Sequence, residues 1–304
     1  MSIIISMNTS DIELAATSKN LIQEGGALLL WFEDETTYLV TVQRDKKFSI
    51  HCGRPIDLGA LIGKPFGSWL QTSSNLRALL LEPTVEDFVM KARRESGIIY
   101  PKDAAILMMK CGIRSGSRVI EVGVGSGSLT TALAAQVAPN GMIFSYDIRE
   151  DFLKLAEGNL RKANVLDFVK LNKREGYDAF KERDVDAIVL DIPEPWHEVE
   201  NIKINLKSGG RIASLNPTYN QIEQMSGALQ KAGFVMIEAQ EILVRGILAR
   251  PGKTRPEQRM VSHTEFLLFA VKPGDQIIAP HLNSLPSPPE DGSVGISAEG
   301  EREG

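Results

Sequence analysis

Residues 119–129 read Val119-Ile120-Glu121-Val122-Gly123-Val124-Gly125-Ser126-Gly127-Ser128-Leu129. An apolar stretch ends in an acid and three glycines, and the residues after them are typical of a helix. A second apolar stretch, 142–146, ends in Asp147, twenty residues after Gly127. This order of strand, glycine turn, helix, strand and acid is typical of a site for an adenosine-containing cofactor, in which the second acid binds the ribose hydroxyls. The stretch therefore predicts such a site, with an ordinary glycine-rich turn as the alternative.

The spacing of the glycines favours S-adenosylmethionine (SAM) over a dinucleotide. A dinucleotide site has the pattern G-x-G-x-x-G, and Ser128 stands where its third glycine should be. An acid at Glu121 suits a pyrophosphate poorly, but it suits the amino group and the sulfonium of SAM. The N–H groups at the start of the following helix suit the carboxylate of SAM.

Composition limits the class of protein. A chain of 304 residues with 43% hydrophobic residues can form two domains. No apolar stretch reaches membrane-spanning length, and residues 1–6 lack the features of a secretory signal, so we expect a cytoplasmic protein with no membrane partner. Cys52 and Cys111 lack the spacing of metal ligands, which predicts reduced thiols and no metal site, although a disulfide between subunits stays open.

The charge is unevenly distributed along the chain. The net charge is −5, and the residues from 286 onward carry five acids and one base, which leaves the rest of the chain near −1. Bases cluster at residues 44–47 and 91–94 and again at Arg245, Arg250, Lys253, Arg255 and Arg259. Such clusters could contact phosphates if the fold gathers them on one face, and a solvated surface is an equally good interpretation of each.

The hydrophobic pattern divides the chain into three parts. Alternating residues at 27–32, 38–42 and 47–51 predict a small β domain over residues 1–75. A helix is predicted to begin after Thr84, which would cap it with Asp87 at the capping-box position. Further helices are predicted at 103–111, 128–138, 150–163, 195–206 and 219–232. Strands are predicted at 118–122, 142–146, 167–171, 186–190, 211–215, 234–243 and 264–271. This alternation predicts an α/β domain over residues 76–275, with a doubly wound, mostly parallel seven-stranded sheet whose last two strands pair antiparallel at an edge. Residues 276–304 are predicted to be a disordered acidic tail.

Acids lie at the ends of three predicted strands, and the carboxyl ends of parallel strands share one edge of the sheet. Glu121, Asp147 and Asp191 should therefore lie close together. Asp191 is followed by Pro193, Pro195 and Trp196, which predicts a stiff turn and a pocket for a planar nucleobase with an exocyclic amine. A rigid turn with Trp196 in the core is the alternative.

Two further residues have open roles. Tyr100 could stack or hydrogen-bond at the site, or it could pack between the domains. His263 precedes the last strand, and a lone histidine is more often structural than catalytic.

Six segments together resemble the tRNA adenine-58 N1-methyltransferase family, in its bacterial and archaeal homo-oligomeric form. They are residues 99–103, 121–130, 145–152, 190–196, 217–221 and 255–264. The resemblance covers roughly residues 54–272. It implies a small N-terminal β domain, a Rossmann-like class I SAM-dependent methyltransferase domain, a homotetramer, SAM as cofactor and tRNA as substrate.

The resemblance also assigns roles by position. SAM would be bound by Glu121, Gly123, Gly125, Ser126, Gly127, Ser128, Leu129, Asp147, Asn172 and Asp191. Asp191 would be catalytic and lie beside the target adenine. Substrate contacts would come from Tyr100, Pro193, Trp196, Arg250, Arg255, Arg259 and His263. Asp147 stands where the family usually has Glu, and Asn172 stands where an acid commonly binds the adenine of the cofactor, which predicts weaker cofactor binding.

The predicted reaction is methylation of adenine N1 at position 58 in the T-loop of tRNA, with position 57 left open. One alternative is a protein isoaspartyl or small-molecule methyltransferase with the same SAM domain. Another is a non-catalytic partner subunit that binds RNA. The complete glycine loop, Asp147 and Asp191 argue against a non-catalytic subunit.

Overall fold

The computed structural model describes residues 20–95 and 97–276, so the predicted tail lies outside the described residues from residue 277 onward. The strands are β1 (Ala27–Phe32), β2 (Thr37–Thr41), β3 (Lys47–Phe48), β4 (Ile56–Asp57), β5 (Trp69–Gln71), β6 (Arg77–Leu81), β7 (Arg118–Val122), β8 (Met142–Asp147), β9 (Val169–Lys173), β10 (Val185–Leu190), β11 (Leu206–Asn216), β12 (Val235–Glu241), β13 (Ile247–Leu248), β14 (Arg255–Pro256) and β15 (Phe266–Val271). The α-helices are α1 (Val85–Lys91), α2 (Pro101–Lys110), α3 (Ser128–Val137), α4 (Glu150–Lys162), α5 (Val199–Asn205) and α6 (Tyr219–Lys231).

The N-terminal residues form a small antiparallel sheet in the order β2-β1-β6-β5, beside a two-stranded ribbon of β3 and β4. The predicted strand over 47–51 is wrong in length, because β3 ends at Phe48. His51 lies in the bend that follows, where its Nδ1 is 3.0 Å from the Tyr38 hydroxyl and its Nε2 is 2.6 Å from Oδ2 of Asp34. These hydrogen bonds give the ring of His51 polar partners, although the bend has no strand partner.

The central sheet has seven strands in the order β12-β15-β11-β10-β7-β8-β9. Strands β7 to β11 are parallel, and β15 runs antiparallel to both β11 and β12. The predicted doubly wound sheet and the antiparallel pairing of its last two strands are confirmed. The reversed strand, β15, lies one place in from the edge strand β12.

Alternate residues of the buried strands pack on opposite faces of this sheet. One apolar cluster joins Val119 and Ile143 to side chains of α2, α3 and α4. The other joins Ile120 and Phe144 to side chains of α5 and α6. Both sheets belong to one compact unit that ends at Pro273, and the predicted domain division at residue 75 stays a prediction.

Helix starts have the local signals that the sequence indicated. Thr84 and Asp87 form a reciprocal capping box at α1, as predicted, and Thr218 and Gln221 form another at α6. Pro101 occupies the first turn of α2. Within the described residues, no helix is both long and apolar enough to cross a membrane.

The strand order reverses between β7 and β10. From β7 the chain proceeds outward through β8 and β9, and from β10 it proceeds outward in the other direction through β11. In open parallel sheets the crevice for ligands forms at such a reversal, outside the carboxyl ends of the strands. The fold therefore places the expected ligand crevice at the residues that follow Val122, Asp147 and Leu190.

Candidate active site

The glycine loop is fixed by close contact with the residue that follows β10 and with helix α4. A Cβ on Gly123, whose φ is +93°, would lie 2.0 Å from the carbonyl oxygen of Asp191. The N–H of Asp191 donates to the Val122 carbonyl oxygen at 2.8 Å. Gly127, with φ +78°, brings α3 so close to α4 that a Cβ would lie 2.9 Å from Cβ of Ala156. A side chain at either position would therefore displace the turn.

Asp147 holds the loop from the end of β8. Its Oδ2 accepts hydrogen bonds from the N–H groups of Val124 at 2.9 Å and Gly125 at 3.1 Å, and its Oδ1 accepts from the Arg149 N–H at 2.9 Å. A carboxylate has about four acceptor positions, so three are used by the chain and the remaining capacity is available to a ligand.

Glu121 lies beneath the loop and is fully buried. Its Oε2 accepts hydrogen bonds from the hydroxyls of Thr130 at 2.7 Å and Ser145 at 2.6 Å, whereas Oε1 has no partner among the described residues. Burial raises the pKa of Glu121 to about 8, with smaller contributions from the charges of Asp191 and Asp147. This carboxyl is therefore mainly neutral at pH 7, and the assignment of Glu121 to the amino group or sulfonium of SAM stays a prediction.

Two adjoining chambers open at the carboxyl edge of β7, β8 and β10. The larger has a volume of about 550 Å³ and the smaller about 370 Å³. Both are lined by Gly123, Asp147, Ile148, Ile192 and Pro193. These five residues form a common wall, so one elongated ligand can occupy both chambers.

The larger chamber contains two carboxyl groups besides Asp147. Asp191 as a whole residue is exposed at the chamber, but the protein atoms around its carboxyl desolvate this group, and this desolvation, followed by the charge of Asp147, raises its pKa to about 6. Glu265 lines the same chamber, and its Oε2 is buried without a partner among the described residues. Burial and then the charge of Asp191 raise the pKa of Glu265 to about 7.

Glu265 was missed by the sequence reasoning, although a signal was present. It immediately precedes β15, which begins at the edge where the parallel strands end because it runs antiparallel to them. Glu265 therefore reaches the cleft from the start of a strand rather than from its end.

A buried network positions the residue next to Glu265. Asp103 is fully buried and accepts hydrogen bonds from Nζ of Lys102 at 2.8 and 2.9 Å and from the Thr264 hydroxyl at 2.7 Å. The Lys102 ammonium also donates to the Thr264 hydroxyl oxygen at 2.6 Å. Tyr100, at the N-cap of α2, is half-buried and lies outside the chamber walls, although the preceding Ile98 and Ile99 belong to them.

The two residues predicted to contact substrate in the turn after Asp191 lie in different places. Pro193 lines both chambers, and its carbonyl oxygen accepts a hydrogen bond from Nε2 of Gln221 at 2.9 Å. Trp196 lines neither chamber and packs against the core on the α5 and α6 side, while its Nε1 donates to Nε2 of His197 at 3.1 Å. This position matches the alternative of a stiff turn with Trp196 in the core, and a contact of Trp196 with substrate stays a prediction.

The smaller chamber is closed by residues after β9. This strand ends at Lys173, two residues later than predicted, so Asn172 lies within it and its amide donates to the Lys170 carbonyl oxygen at 2.9 Å. Arg174 and Tyr177 line the chamber instead, and Arg174 donates to the buried carboxylate of Glu198 at 2.6 and 2.9 Å. The assignment of Asn172 to the cofactor stays a prediction.

Three predicted loop residues lie behind the glycine turn. The hydroxyls of Ser126 and Ser128 are 3.0 Å apart and buried, and Leu129 packs in the core. They shape the loop from inside, and the two chambers are lined by other residues.

His263 lies outside the chambers, at the point where three strand ends meet. Its Nε2 is 3.1 Å from the Pro217 carbonyl oxygen, which can only accept, and its Nδ1 is 2.7 Å from Oε1 of Glu241. The hydrogen bond to Glu241 raises the pKa of His263, because a protonated ring can donate to both acceptors. Both ring nitrogens of His263 are thus hydrogen-bonded within the protein.

The predicted basic residues lie on the exposed segment 242–264, which contains the hairpin of β13 and β14. Arg250 makes a long ion pair with Glu35 of the small sheet at 3.8 Å, and Arg255 donates to the Pro256 carbonyl oxygen at 3.3 Å. Arg259 is exposed on the same segment. These arginines are separate from the chamber walls.

The model of the family described as "tRNA methyltransferase complex GCD14 subunit" matches residues 78–254. The chain belongs to the GCD14 family. Relatives of known function agree with this membership. The tRNA (adenine(57)-N(1)/adenine(58)-N(1))-methyltransferase TrmI of Methanocaldococcus jannaschii is 33% identical over 65% of this chain and 79% of its own length. The tRNA (adenine(58)-N(1))-methyltransferase TrmI of Thermus thermophilus is 29% identical over 80% of this chain and 95% of its own.

Two solved structures share the fold of this GCD14-family chain. A crystal structure from Thermotoga maritima, described as a SAM-dependent O-methyltransferase, superimposes with a TM-score of 0.80 at 38% identity, over 86% of this chain and 98% of its own. The tRNA (m1A58) methyltransferase TrmI of Aquifex aeolicus superimposes with a TM-score of 0.72 at 29% identity, over 83% and 99%. The predicted class I methyltransferase fold with an additional N-terminal β region is therefore confirmed.

Proposed function

We propose that this chain transfers the methyl group of SAM to N1 of adenine 58 in the T-loop of tRNA. The observation that carries the proposal is the pair of carboxyl groups, Asp191 and Glu265, in the chamber beside the glycine loop. A carboxylate at that position can accept a hydrogen bond from the exocyclic amine of an adenine. The names of the TrmI relatives support the same substrate, and one of them includes position 57.

The residues of the two chambers fit SAM. The absence of a Cβ at Gly123 gives a ligand access to the backbone at the end of β7, and Asp147 retains acceptor capacity for a ribose. The carboxyls of Asp147, Asp191 and Glu265 suit the ammonium and sulfonium groups. Bound SAM would supply an electrophilic methyl group on its sulfonium.

The proposed catalytic role of Asp191 follows from the charge that the reaction creates. Adenine N1 has a free lone pair at neutral pH, so no base is needed to generate the nucleophile. As the new N–C bond forms, the bond from the methyl carbon to the sulfonium sulfur would break and leave a neutral thioether, and the positive charge would develop on the ring and on its exocyclic amine. An ionised Asp191 that accepts a hydrogen bond from this amine stabilises the transition state more than the ground state, which raises the chemical rate.

The backbone holds Asp191 ready for this role. Its N–H is bonded to Val122, and its carbonyl oxygen lies against Gly123, so both sides of the residue are fixed by β7. Since the pKa of Asp191 is about 6, the carboxyl is mainly ionised at pH 7. Little reorganisation is needed when substrate binds.

We also propose contacts outside the chambers. Adenine N1 is occupied in structured RNA, so the target base must turn outward, at a cost of a few kcal/mol. Phosphate contacts from Arg250, Lys253, Arg255 and Arg259 would offset this cost, and they predict a tRNA affinity that falls steeply with salt.

A second copy of the chain is the proposed partner of the segment 242–264. Leu243, Val244 and Ile247 are 57%, 57% and 56% exposed on this segment, beside the arginines. Contact between copies would remove this apolar surface from water and would bring basic residues of one copy near the cleft of another. A homotetramer predicts four times the 33.4 kDa mass of the chain in sedimentation equilibrium, and a purely monomeric species would contradict it. A cytoplasmic location is proposed as well, because the substrate is tRNA and both Cys52 and Cys111 are free thiols.

The deciding experiment supplies methyl-labelled SAM and an unmodified tRNA transcript. We expect label in N1-methyladenosine at position 58, and transcripts with A57 or A58 replaced by G will show which position is used. The same reaction with the variant Asp191→Ala should give very little product. Wild-type protein that binds SAM but leaves every tRNA unlabelled would contradict the proposal.

One observation favours a second candidate, which is O-methylation of a protein or small molecule. The Thermotoga maritima structure carries that description and is 38% identical to this chain. The two candidates differ in their products, because a methyl ester on a carboxyl group is cleaved by mild base and releases methanol, whereas a methyl group on N1 of adenine stays on the nucleoside. Aged peptide as the second substrate therefore separates the candidates.

A further inference from the structure

A second cavity lies behind the glycine loop, between the small sheet and the central domain. We call it the basic cavity. Its volume is about 230 Å³, and it lies between β1 and β2 on one side and α1, α3 and α4 on the other. Phe48 and Phe88 contribute to an apolar floor, and neither chamber of the candidate active site shares a residue with it.

The charged residues in the walls of the basic cavity all have one sign, and Glu95, which makes a long ion pair of 3.9 Å with Arg93, lies outside these walls. Lys46, Lys91, Arg93 and Lys162 line it and are exposed, and no acid belongs to its walls. Nζ of Lys91 donates to the Thr37 carbonyl oxygen at 3.1 Å, and within the described part of the chain no acid forms an ion pair with it. A concave site lined by one sign of charge concentrates ions of the opposite sign.

The chain therefore presents a site for an anion, and we infer that the basic cavity binds a phosphodiester group of the tRNA substrate. Its volume is below the roughly 300–1,000 Å³ of pockets that enclose small-molecule ligands. A phosphate with its attached sugar fits this space better than a complete nucleotide does, and the apolar floor suits the sugar. This inference rests on the proposed function, and it adds a contact distinct from the arginines of segment 242–264.

The walls of the basic cavity are bonded to the glycine loop. Nδ2 of Asn159 donates to the carbonyl oxygens of Arg93 and Ser126, both at 2.8 Å, and the Thr131 hydroxyl donates to the Gly127 carbonyl oxygen at 2.7 Å. Asn159 and Thr131 are themselves buried and line the cavity. A phosphate held here is thus placed at a fixed position relative to the loop, which would align the RNA with the active site.

The test compares two double variants of equal net charge. One is Lys46→Gln with Lys162→Gln, and the control is Lys170→Gln with Lys231→Gln, two exposed lysines outside the cavity. The affinity for an unmodified tRNA transcript is measured from 50 to 300 mM salt, SAM affinity is measured by calorimetry, and thermal unfolding verifies the fold. A third titration uses inorganic pyrophosphate as the probe for free polyphosphates.

We expect the cavity variant to bind tRNA about ten-fold or more weakly at 100 mM salt, with a salt slope smaller by about one for each lost contact. SAM affinity and the unfolding temperature should stay at wild-type values, and the control should keep the wild-type slope. An unchanged slope in the cavity variant, or an equal loss in the control, would overturn the inference while wild-type methylation of tRNA left the proposed function intact. Tight pyrophosphate binding that the cavity variant loses, with tRNA affinity unchanged, would assign the cavity to a free polyphosphate and overturn its assignment to RNA. A wild-type protein that neither binds nor methylates tRNA would overturn both.

Discussion

The most direct test of the buried acid beneath the glycine loop is the substitution Glu121→Gln. Burial raises the pKa of Glu121 from its ordinary value of 4.5 to about 8. The folded protein therefore holds this proton over a pH range in which the unfolded chain has already released it. The stability due to the neutral carboxyl is fully present below pH 4.5 and is lost as the pH rises toward 8.

The size of the effect follows from this shift. Each unit of pKa difference corresponds to about 1.4 kcal/mol, so the complete shift corresponds to roughly 5 kcal/mol. Between pH 5.5 and 7.5 the wild-type protein should lose about 3 kcal/mol of unfolding free energy through Glu121 alone. Glutamine is neutral at every pH. Its amide oxygen can accept hydrogen bonds from the hydroxyls of Thr130 and Ser145, as Oε2 of Glu121 does. The variant should lack this contribution, so it should become more stable relative to wild type as the pH rises.

The measurement is urea unfolding of both proteins at several pH values and constant ionic strength, with the m-value as a check that the same surface is exposed. The difference between the two proteins cancels the contributions of the titrating groups that do not interact with Glu121. Glu223→Gln on the exposed surface of α6 is the matched control, for which we expect a flat difference. A difference between Glu121→Gln and wild type that stays constant from pH 5.5 to 7.5 would refute the assignment of a neutral buried acid to Glu121.

Other predictions concern the cleft. Asp191→Ala should lower the single-turnover methylation rate by about 10²–10³-fold and leave SAM affinity within several-fold, and a near-normal rate would remove Asp191 from the mechanism. Because the ionised carboxyl is the active form in the proposed mechanism and its pKa is about 6 before SAM binds, the wild-type kcat/KM for SAM, which reports the pKa of the free enzyme, should rise with pH through about 6, and a value independent of pH from 5 to 7 would contradict this. Glu265→Gln should raise KM for tRNA more than it lowers kcat if Glu265 positions the base, which steady-state assays with varied tRNA will show; a change confined to kcat would oppose that role. Gly123→Ala should abolish SAM binding in calorimetry, because its Cβ would lie 2.0 Å from the Asp191 carbonyl oxygen, whereas Gly209→Ala, with φ +74° and open space around it, should cost only about 1–2 kcal/mol in urea unfolding.

The sequence predicted the sheet well because its central strands are buried on both faces and bounded by distinct turns. Strand β7 begins and ends at the predicted residues, and the capping box of Thr84 and Asp87 forms as expected. The three strand-end acids could be placed at one edge because parallel strands must end together. Local signals of this kind do not depend on distant parts of the chain.

The sequence-based prediction fails where contacts between residues distant in sequence determine the local structure or the protonation state. The end of β9 was predicted two residues early, and the lining of the smaller chamber by Arg174 was not predicted, because its partner Glu198 is distant in sequence. Glu265 was missed because its position depends on the reversed direction of β15. The neutral state of Glu121 could not be predicted from residue type, because it depends on complete burial under the loop.

The electrostatics of the cleft distinguish between the two cofactors that the glycine spacing left open. Asp191 and Glu265 have raised pKa values and share a chamber with Asp147, so each additional negative charge would be opposed. A pyrophosphate would add such charge at the point where the carboxyls lie closest to the loop. A ligand with ammonium and sulfonium groups instead favours the ionised carboxyls, and its binding should lower both pKa values by linkage. In the proposed reaction one positive charge would move from sulfur to the adenine, so the acids of the chamber would face a cation before and after methyl transfer, and Asp191 would stabilise the charge where it arrives.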